Sequence, residues 1–340
     1  MSRAVPRIAL DAMGGDLAPA VPVEGAVMAA RELGVRVVLV GPVEVVKGEL
    51  ARHDTSGLDL SVVHADEVVG MDEHAADAFR QKRRSSIAIG INLVREGEAA
   101  AFVSAGNSGA VMAGALFGLG RIEGIDRPAI GTVYPTTTGR CFLLDIGANA
   151  DCRPEYLLQF AVMGSAYAKR VLGVAQPRVA LLSNGEEETK GNALVQASRP
   201  LLKASPLNFV GNVEGKDIPM GLADVVVTDG FSGNIVVKLS EGVAATLFEV
   251  LRSELTSSFV FKMAALALKP AFRRVRARLD YVEYGGAPLL GVNGVTIIAH
   301  GRSNAPAIKN AVRVARHSVD QRLVEAIREG VASAAGGKAR

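Results

Sequence analysis

The sequence predicts an α/β fold built around a mostly parallel sheet. Apolar runs of strand length alternate with segments whose apolar residues recur at helical spacing, and this order is typical of parallel strands buried on both faces. The chain contains 37 glycines but only five tyrosines and no tryptophan, which indicates many tight turns. With 340 residues, 49% of them hydrophobic, it is long enough for one large domain or two closely packed subdomains.

Each element follows from a local pattern. In the amino-terminal part, strands are predicted at 8–12, 35–40, 58–64 and 100–103, and helices at 42–50, 87–95, from Pro19, and after Ala110 as far as Leu119. The runs at 129–134 and 140–146 are predicted to pair as a hairpin. Further strands are predicted at 178–182, 208–213, 223–228 and 295–300, with helices at 154–172, 192–203, from about Ile235, and as one long helix after Asn304. Residues 284–294 are expected to be irregular.

Composition and motifs argue against several classes of protein. Cys141 and Cys152 are the only cysteines, which fits a reducing cytosol, and the five histidines lack the spacing of a zinc site. No apolar run has the length of a signal-peptide core or a membrane span, so we expect a cytoplasmic protein. The scarcity of aromatic residues argues against nucleic acid as a partner. The usual dinucleotide, nucleotide-phosphate, nucleophile-elbow and HExxH motifs do not occur, and neither a metal nor a cofactor is expected.

Polar turns follow several predicted strands. The stretch Leu181 to Gly191 combines backbone N–H groups, the Asn184 amide and the Lys190 ammonium, which suits an anion site and also an ordinary strand-to-helix loop. Similar turns occur at 11–16, 104–110, 145–151, 212–217 and 229–234. Because the carboxyl ends of parallel strands lie at one edge of a sheet, we expect these turns to face a single crevice.

The turns supply a set of candidate residues for binding an anionic ligand. They are Asp11, Gly14, Gly15, Asp16, Asn107, Ser108, Asn149, Asn184, Asp229, Ser232 and Gly233. His300, at a strand end beside Arg302, is the histidine best suited to chemistry, and a structural role is the alternative. The basic run Arg80–Arg84 is either a solvated surface or the rim of a site for a charged ligand.

The net charge of +3 is unevenly distributed. From Arg252 to Arg278, seven basic residues accompany the single acid Glu254, so this segment carries +6 and the rest −3. Pro270 is expected to break or kink the helix, giving a basic amphipathic hairpin over 252–280. Such a hairpin suits an anionic membrane surface or an acidic partner protein, and a contact between subunits is the alternative. The residues expected to make this contact are Phe259, Lys262, Leu266, Lys269, Arg273 and Arg276.

Taken together, the motifs resemble the bacterial phosphate acyltransferase family, the acyl-carrier-protein:phosphate transacylases of phospholipid synthesis. The matching stretches are ALDAMGGD (9–16), VSAGNSGA (103–110), LDIGAN (144–149), NGEEETKG (184–191), GNVEGKD (211–217), DGFSGN (229–234), EYGGAPLLGVNG (283–294) and AHGRSNA (299–305). Ser108 and Ser232 depart slightly from the family pattern, at positions that are variable. The motifs occur in order along nearly the whole chain.

The resemblance implies a three-layer Rossmann-like fold akin to isocitrate and isopropylmalate dehydrogenases and phosphotransacetylases, formed by the single domain 1–340 with a protruding helical hairpin. It also implies a homodimer, attached peripherally to the inner face of the plasma membrane. The implied reaction moves a fatty acyl group from acyl carrier protein to inorganic phosphate, and a glycerol-3-phosphate acyltransferase would use the product downstream. The family motifs associate Lys190 and Asn234 with phosphate and catalysis.

The chemistry of that reaction suits these residues. Phosphate is already an anionic nucleophile, so it needs charge neutralisation by Lys190 and placement near the thioester carbonyl. The Asn234 amide or N–H groups near Gly233 can hold the developing oxyanion, and His300 is the candidate if a general acid is used. Two rival functions are a dehydrogenase of the same fold class and a non-catalytic membrane scaffold for lipid synthesis. A dehydrogenase would need a dinucleotide and a metal, and a scaffold would not need polar turns around one crevice.

Overall fold

A computed structural model describes residues 5–279 and 285–336 of the chain. The described residues form an 11-stranded sheet in the order β3-β2-β1-β4-β11-β10-β5-β6-β9-β7-β8. The strands are β1 Arg7–Asp11, β2 Arg36–Gly41, β3 Leu60–His64, β4 Ala101–Ser104, β5 Ala129–Pro135, β6 Arg140–Leu144, β7 Val179–Leu182, β8 Phe209–Val213, β9 Val225–Val227, β10 Ala287–Leu290 and β11 Val295–Ile298. Most neighbouring pairs are parallel, which confirms the predicted sheet.

Helices connect most of these strands. They are α1 Ala20–Leu33, α2 Val43–Leu50, α3 Ala75–Gln81, α4 Ser86–Arg95, α5 Ser108–Gly118, α6 Pro154–Arg170, α7 Ala193–Lys203, α8 Gly230–Thr256, α9 Phe259–Leu279, α10 Ala305–Asp320 and α11 Leu323–Gly336. A short 3-10 helix follows β8 at Gly215–Asp217.

The sheet is buried on both faces because successive residues of its strands, which point to opposite faces, are apolar. Ile8 and Leu10 of β1 pack with α1 and α10 on one face, and Ala9 packs with α4 and α5 on the other. In the other half of the sheet, Phe142 of β6 packs with α6 and α7, and Leu143 packs against the first turns of α8. The result is the predicted arrangement of three layers, with helices on both sides of the sheet.

The predicted hairpin β5–β6 reverses the direction of the sheet. β10 is antiparallel to both β11 and β5, and β5 is antiparallel to β6, whereas β6, β9, β7 and β8 are mutually parallel. Strands β6 to β9 therefore run opposite to β1, β2, β3, β4 and β11. This reversal decides where the polar turns can lie.

Several boundaries differ from the predicted ones. The segment before α4 contains the short helix α3, which was not predicted. Residues 284–294, expected to be irregular, include the central strand β10; its Pro288 and the neighbouring glycines are residue types that disfavour a central strand. Helix α8 begins at Gly230 rather than near Ile235, because Asp229 caps it.

The carboxyl-terminal helices also differ from the prediction. The single long helix expected after Asn304 is two helices, separated at Arg322, whose backbone φ of 52° is left-handed. Pro270 does not break the helix, since α9 continues through it, and the two arms of the predicted hairpin are α8 and α9, which pack against each other. That packing compensates for the hydrogen bond that a proline removes from a helix.

Candidate active site

The turn after β1 is organised by the buried carboxylate of Asp11. The Ser104 hydroxyl donates to Asp11 Oδ2 at 2.7 Å, and the Met13 N–H donates to Oδ1 at 3.0 Å. Burial raises the pKa of Asp11, although these hydrogen bonds oppose the shift. Asp11 is 1% exposed, and its carboxylate holds the turn.

Glycine is needed at position 14 of the same turn. A Cβ there would lie 2.6 Å from both Asp11 Oδ2 and the backbone nitrogen of Gly106, which leaves no space for a side chain. Gly15 lies against the backbone of Gly301, whose carbonyl accepts the Asp16 N–H at 2.9 Å. The Asp16 side chain is exposed. The turns after β1, β4 and β11 are therefore in direct contact.

Asn107 caps α5 and fastens the segment that precedes α3. Its Oδ1 accepts the Ala110 N–H at 3.0 Å, and its Nδ2 lies 3.0–3.2 Å from the carbonyls of Gly70, Met71 and Glu73. Since the amide is occupied and 8% exposed, the structure favours a positioning role over the substrate contact expected from the sequence. The neighbouring Ser108 is exposed at the start of α5.

His300 lies just beyond β11, beside the turn after β1. Its side chain is exposed, and its ring Nδ1 accepts the N–H of Arg302 at 3.1 Å. This bond fixes the orientation of the ring. His300 thus belongs to the group of turns that contains Asp11, Asp16 and Asn107.

Asp145 organises a second group of turns, and sequence reasoning did not select it. Its Oδ1 accepts N–H groups of Ile130, Gly147 and Ala148 at 3.0–3.2 Å, and its Oδ2 accepts the backbone and side-chain N–H groups of Asn149 at 2.7 and 2.9 Å. The carboxylate is fully buried, and burial raises its pKa against the opposing effect of these donors. An acid directly after an apolar strand, followed by a glycine turn, is the signal that identifies it.

The amino terminus of α8 is attached to the Asp145 turn. Asp229 accepts the N–H and hydroxyl of Ser232 at 2.8 and 2.9 Å, and Asn234 Nδ2 donates to the Ile146 carbonyl at 3.1 Å. A Cβ on Gly233 would overlap the carbonyl oxygen of Asp145, so the helix and the turn are in backbone contact. The structure thereby brings together five predicted residues: Asn149, Asp229, Ser232, Gly233 and Asn234.

Lys190 lies on the loop between β7 and α7. Its side chain is exposed, and its ammonium makes no hydrogen bond or ion pair within residues 5–279 and 285–336. Asn184 Oδ1 accepts the Gly191 N–H at 2.8 Å, so this predicted ligand is used at least partly to close the loop. Lys190 is available to bind an anion from solution.

The hypothesis that all the turns share one edge of the sheet is wrong. The turns after β1, β4 and β11 leave the sheet in one direction, and those after β6, β7, β8 and β9 leave it in the other. The two groups are linked on one face, because Ile146 and Ala148 pack against the hydrophobic cluster that contains Ala110 and Val111 of α5. The prediction failed because it applied the rule for parallel strands, whose carboxyl ends share one edge, to strands on both sides of the hairpin β5–β6. That hairpin, itself predicted from the sequence, reverses the strand direction.

Helices α8 and α9 expose many apolar side chains. On α8, an exposed row follows i, i+4 spacing from the turn at Asp229; it consists of Phe231, Ile235, Leu239, Val243 and Leu247. On α9, Phe259 is 78% exposed and Leu266 61%, and Lys262, Lys269 and Arg273 are exposed. The side chain of Arg276 lies outside the described residues. No helix in the described part is long and apolar enough to cross a membrane.

Within the described ranges, no group of three or more His, Cys, Asp or Glu side chains is arranged to hold a metal ion. Both cysteines are free thiols, and burial raises the pKa of each to about 12.

Comparison with solved structures shows a common fold. Over 93% of this chain and 94% of the other, the protein superposes on a phosphotransacetylase from Streptococcus pyogenes with a TM-score of 0.61 and 18% identity. A 4-hydroxythreonine-4-phosphate dehydrogenase from Klebsiella pneumoniae gives a TM-score of 0.54 and 16% identity over 94% of this chain and 99% of that one. At such identities, the likeness concerns architecture alone.

Comparison of sequences shows the family. A phosphate acyltransferase from Geobacter sulfurreducens is 54% identical over 323 residues, covering 94% of this chain and 93% of the relative. Another from Pelotomaculum thermopropionicum is also 54% identical, covering 96% and 95%. A family model described as "Fatty acid synthesis protein" matches residues 6–326. The chain therefore belongs to this fatty acid synthesis protein family, together with the phosphate acyltransferases that it matches along nearly its whole length.

Proposed function

We propose that the protein transfers a fatty acyl group from acyl carrier protein to inorganic phosphate and so supplies acyl phosphate for phosphatidic acid and phospholipid synthesis. The observation that carries the proposal is the 54% identity to phosphate acyltransferases over 94% of the chain. Neither rival function is favoured. The dehydrogenase likeness is confined to the fold at 16% identity, and a scaffold leaves the two ordered groups of turns unexplained.

The reaction needs no covalent enzyme intermediate. An oxygen of phosphate attacks the thioester carbonyl, the new C–O bond forms, and the C–S bond breaks as the carrier thiolate leaves and then takes a proton. Lys190 neutralises part of the phosphate charge, and its exposure without a protein partner in the described part supports this role. The Asn234 amide and the first N–H groups of α8 stabilise the oxyanion that develops on the carbonyl.

The remaining residues fall into two roles. Asp11, Asn107 and Asn184 hold turns in place, as their occupied side chains indicate, and Asp145 joins them. Substrate contacts are assigned to Gly14, Gly15, Asp16 and Ser108 of the turns after β1 and β4, and to Asn149, Asp229, Ser232 and Gly233 of the turns around the amino terminus of α8. His300 is the candidate to protonate the leaving thiolate, with its ring held by the Arg302 N–H.

The proposal extends to partners and location. We assign the whole chain to one acyltransferase domain, whose helices α8 and α9 contact the inner face of the plasma membrane or the acidic carrier protein. The exposed bases of α9 are interleaved with exposed apolar residues such as Phe259 and Leu266, which is the composition of a surface that lies on anionic lipid. A homodimer, and delivery of acyl phosphate to a glycerol-3-phosphate acyltransferase, belong to the same proposal.

A direct assay tests the function. Purified protein is mixed with acyl carrier protein bearing a fatty acyl chain, with and without phosphate, and the product is trapped by hydroxylamine. We expect acyl hydroxamate and free carrier thiol in equal amounts, dependent on phosphate. Release of the carrier thiol at the same rate with and without phosphate would indicate a thioesterase. No release of the thiol would contradict the acyltransferase proposal. A thermal-shift titration with NAD and Mg²⁺ addresses the dehydrogenase rival, and we expect no stabilisation.

A further inference from the structure

The loop that carries Lys190 lacks regular structure, yet its backbone is tied on both sides of the lysine. Gln196 Nε2 donates to the Thr189 and Gly191 carbonyls at 3.0 and 3.1 Å. Asn212 Nδ2 donates to the Glu187 carbonyl at 3.1 Å, which also accepts the Lys190 N–H at 3.1 Å. Gln196 lies on α7 and Asn212 on β8, so two separate elements hold the loop.

The stem of the Lys190 side chain is also confined. Its Cγ passes over Gly185, where an added Cβ would come within 2.6 Å of it. Asn184 closes the loop from the other side through the Gly191 N–H. These contacts leave the ammonium exposed while fixing the backbone from which it extends.

Asn212 is an unusual choice if stability alone is considered. It is 7% exposed, and its Oδ1 is buried with no hydrogen-bond partner among the described residues. An unpaired buried acceptor opposes folding, and an apolar residue would avoid that cost. What the amide provides in return is its single bond to the Lys190 loop.

We propose that Gln196 and Asn212 are positioning residues for Lys190. By holding the carbonyls of residues 187, 189 and 191, they keep the ammonium where it meets phosphate. The inference rests on the proposed function, in which Lys190 neutralises phosphate. It adds Gln196 on α7, which lies outside the motifs resembling the family, and Asn212 on β8, which lies within the stretch GNVEGKD but had no role assigned to it.

The test is a double-mutant cycle with steady-state kinetics. We expect Gln196→Ala and Asn212→Ala each to lower kcat/KM for phosphate roughly tenfold, because a displaced catalytic group loses rate steeply. The KM for acyl carrier protein should stay within roughly a factor of two, since the acyl donor does not depend on this loop. Gln196→Glu, which keeps the length but loses the donors, should behave like the alanine variant.

Repeating both substitutions in a protein that already carries Lys190→Ala shows whether the loss of kcat/KM acts through the lysine. There, adding Gln196→Ala or Asn212→Ala should change the residual rate less than about twofold. A full tenfold loss in that background would overturn the inference, as would unchanged phosphate kinetics in the single variants. If Lys190→Ala itself retains normal turnover, it is the proposed role of Lys190 that fails.

Gln159→Ala is the matched control. Gln159 also uses its amide to hold a loop, bonding the Asp126 N–H and carboxylate at 2.9 and 2.7 Å. It lies on α6, and its amide bonds Asp126 and no residue of the β7–α7 loop. We expect its removal to leave phosphate kinetics unchanged, and a loss equal to that of Gln196→Ala would contradict a specific role for the Lys190 loop.

Discussion

Replacing Gly233 by alanine should inactivate the enzyme without unfolding it. Gly233 lies in the first turn of α8, and an added Cβ would overlap the carbonyl oxygen of Asp145 and lie 3.0 Å from Thr228 Cγ2. The nearest of these atoms, the carbonyl oxygen of Asp145, belongs to the backbone, so the helix terminus itself has to move, by roughly 1 Å in a closely packed interior. That movement displaces Asn234 and the N–H groups assigned to the oxyanion.

The cost divides unequally between stability and rate. Overpacking costs about 1–3 kcal/mol, and replacing a helical glycine by alanine returns about 1 kcal/mol, so the net destabilisation is about 0–2 kcal/mol. A misplacement of about 1 Å at a reacting group reduces the rate by roughly 100-fold. We therefore expect a folded protein with a small fall in Tm and a kcat reduced by about two orders of magnitude in the hydroxylamine assay.

Gly242 provides the control, because it lies on the same helix and an added Cβ there meets nothing within 4 Å. Gly242→Ala should raise the free energy of unfolding by about 0.5–1 kcal/mol and leave kcat unchanged. Near-normal turnover in Gly233→Ala would refute the assignment of this helix terminus to the reaction. Equal losses in both variants would show that α8 responds to any substitution.

Three further predictions concern charge. Lys190→Ala should lower acyl phosphate formation by at least about 100-fold with unchanged circular dichroism, and near-normal turnover would remove the lysine from the mechanism. Burial raises the pKa of Asp145 above its ordinary 3.8, so its contribution to the free energy of unfolding is present below pH 3.8 and lost as the pH rises through the raised pKa. In urea unfolding measured at several pH values, the free energy of unfolding of Asp145→Asn should therefore decrease less with rising pH than that of the unsubstituted protein. An equal decrease in both proteins would contradict this prediction. Reversing Lys269, Arg273 and Arg276 to Glu should release the protein from anionic vesicles at moderate salt, whereas unchanged co-sedimentation would contradict a membrane role.

The vesicle experiment needs a control of equal charge change. Lys47 on α2, Lys169 on α6 and Lys203 on α7 are exposed, and their reversal alters the net charge by the same amount. These helices lie away from α8 and α9 in the sequence and contribute no residue to the proposed membrane contact. If the control triple variant is released equally, the attraction depends on total charge and not on the helix pair.

Much of the fold could be predicted because its signals are local. The apolar runs around Ile8, Val38 and Phe142 are strands, and Asn192 and Asn304 cap helices where a polar residue precedes a helical pattern. The errors arose where tertiary packing overrides local preference. Helix α9 continues through a proline, and β10 is a central strand.

The candidate site was harder to predict because burial is invisible in a sequence. Asp11 and Asp145 look alike there, each an acid directly after an apolar strand, and only the structure shows that both are buried and hold turns. Conversely, Gln196 belongs to no motif and Asn212 was not selected from the stretch that contains it, and only the fold brings their amides to the loop of Lys190. The direction of β6 decides which turns are neighbours. It is set by the hairpin β5–β6, which reverses the direction of β6 and of every strand beyond it in the sheet.

A crystal of the protein soaked with orthophosphate would show where the nucleophile binds. The account predicts tetrahedral density with an oxygen about 2.7–3.2 Å from the Lys190 ammonium, close to the Asn234 amide, and loss of that density in Lys190→Ala crystals. Density bound elsewhere, with none near Lys190, would contradict it.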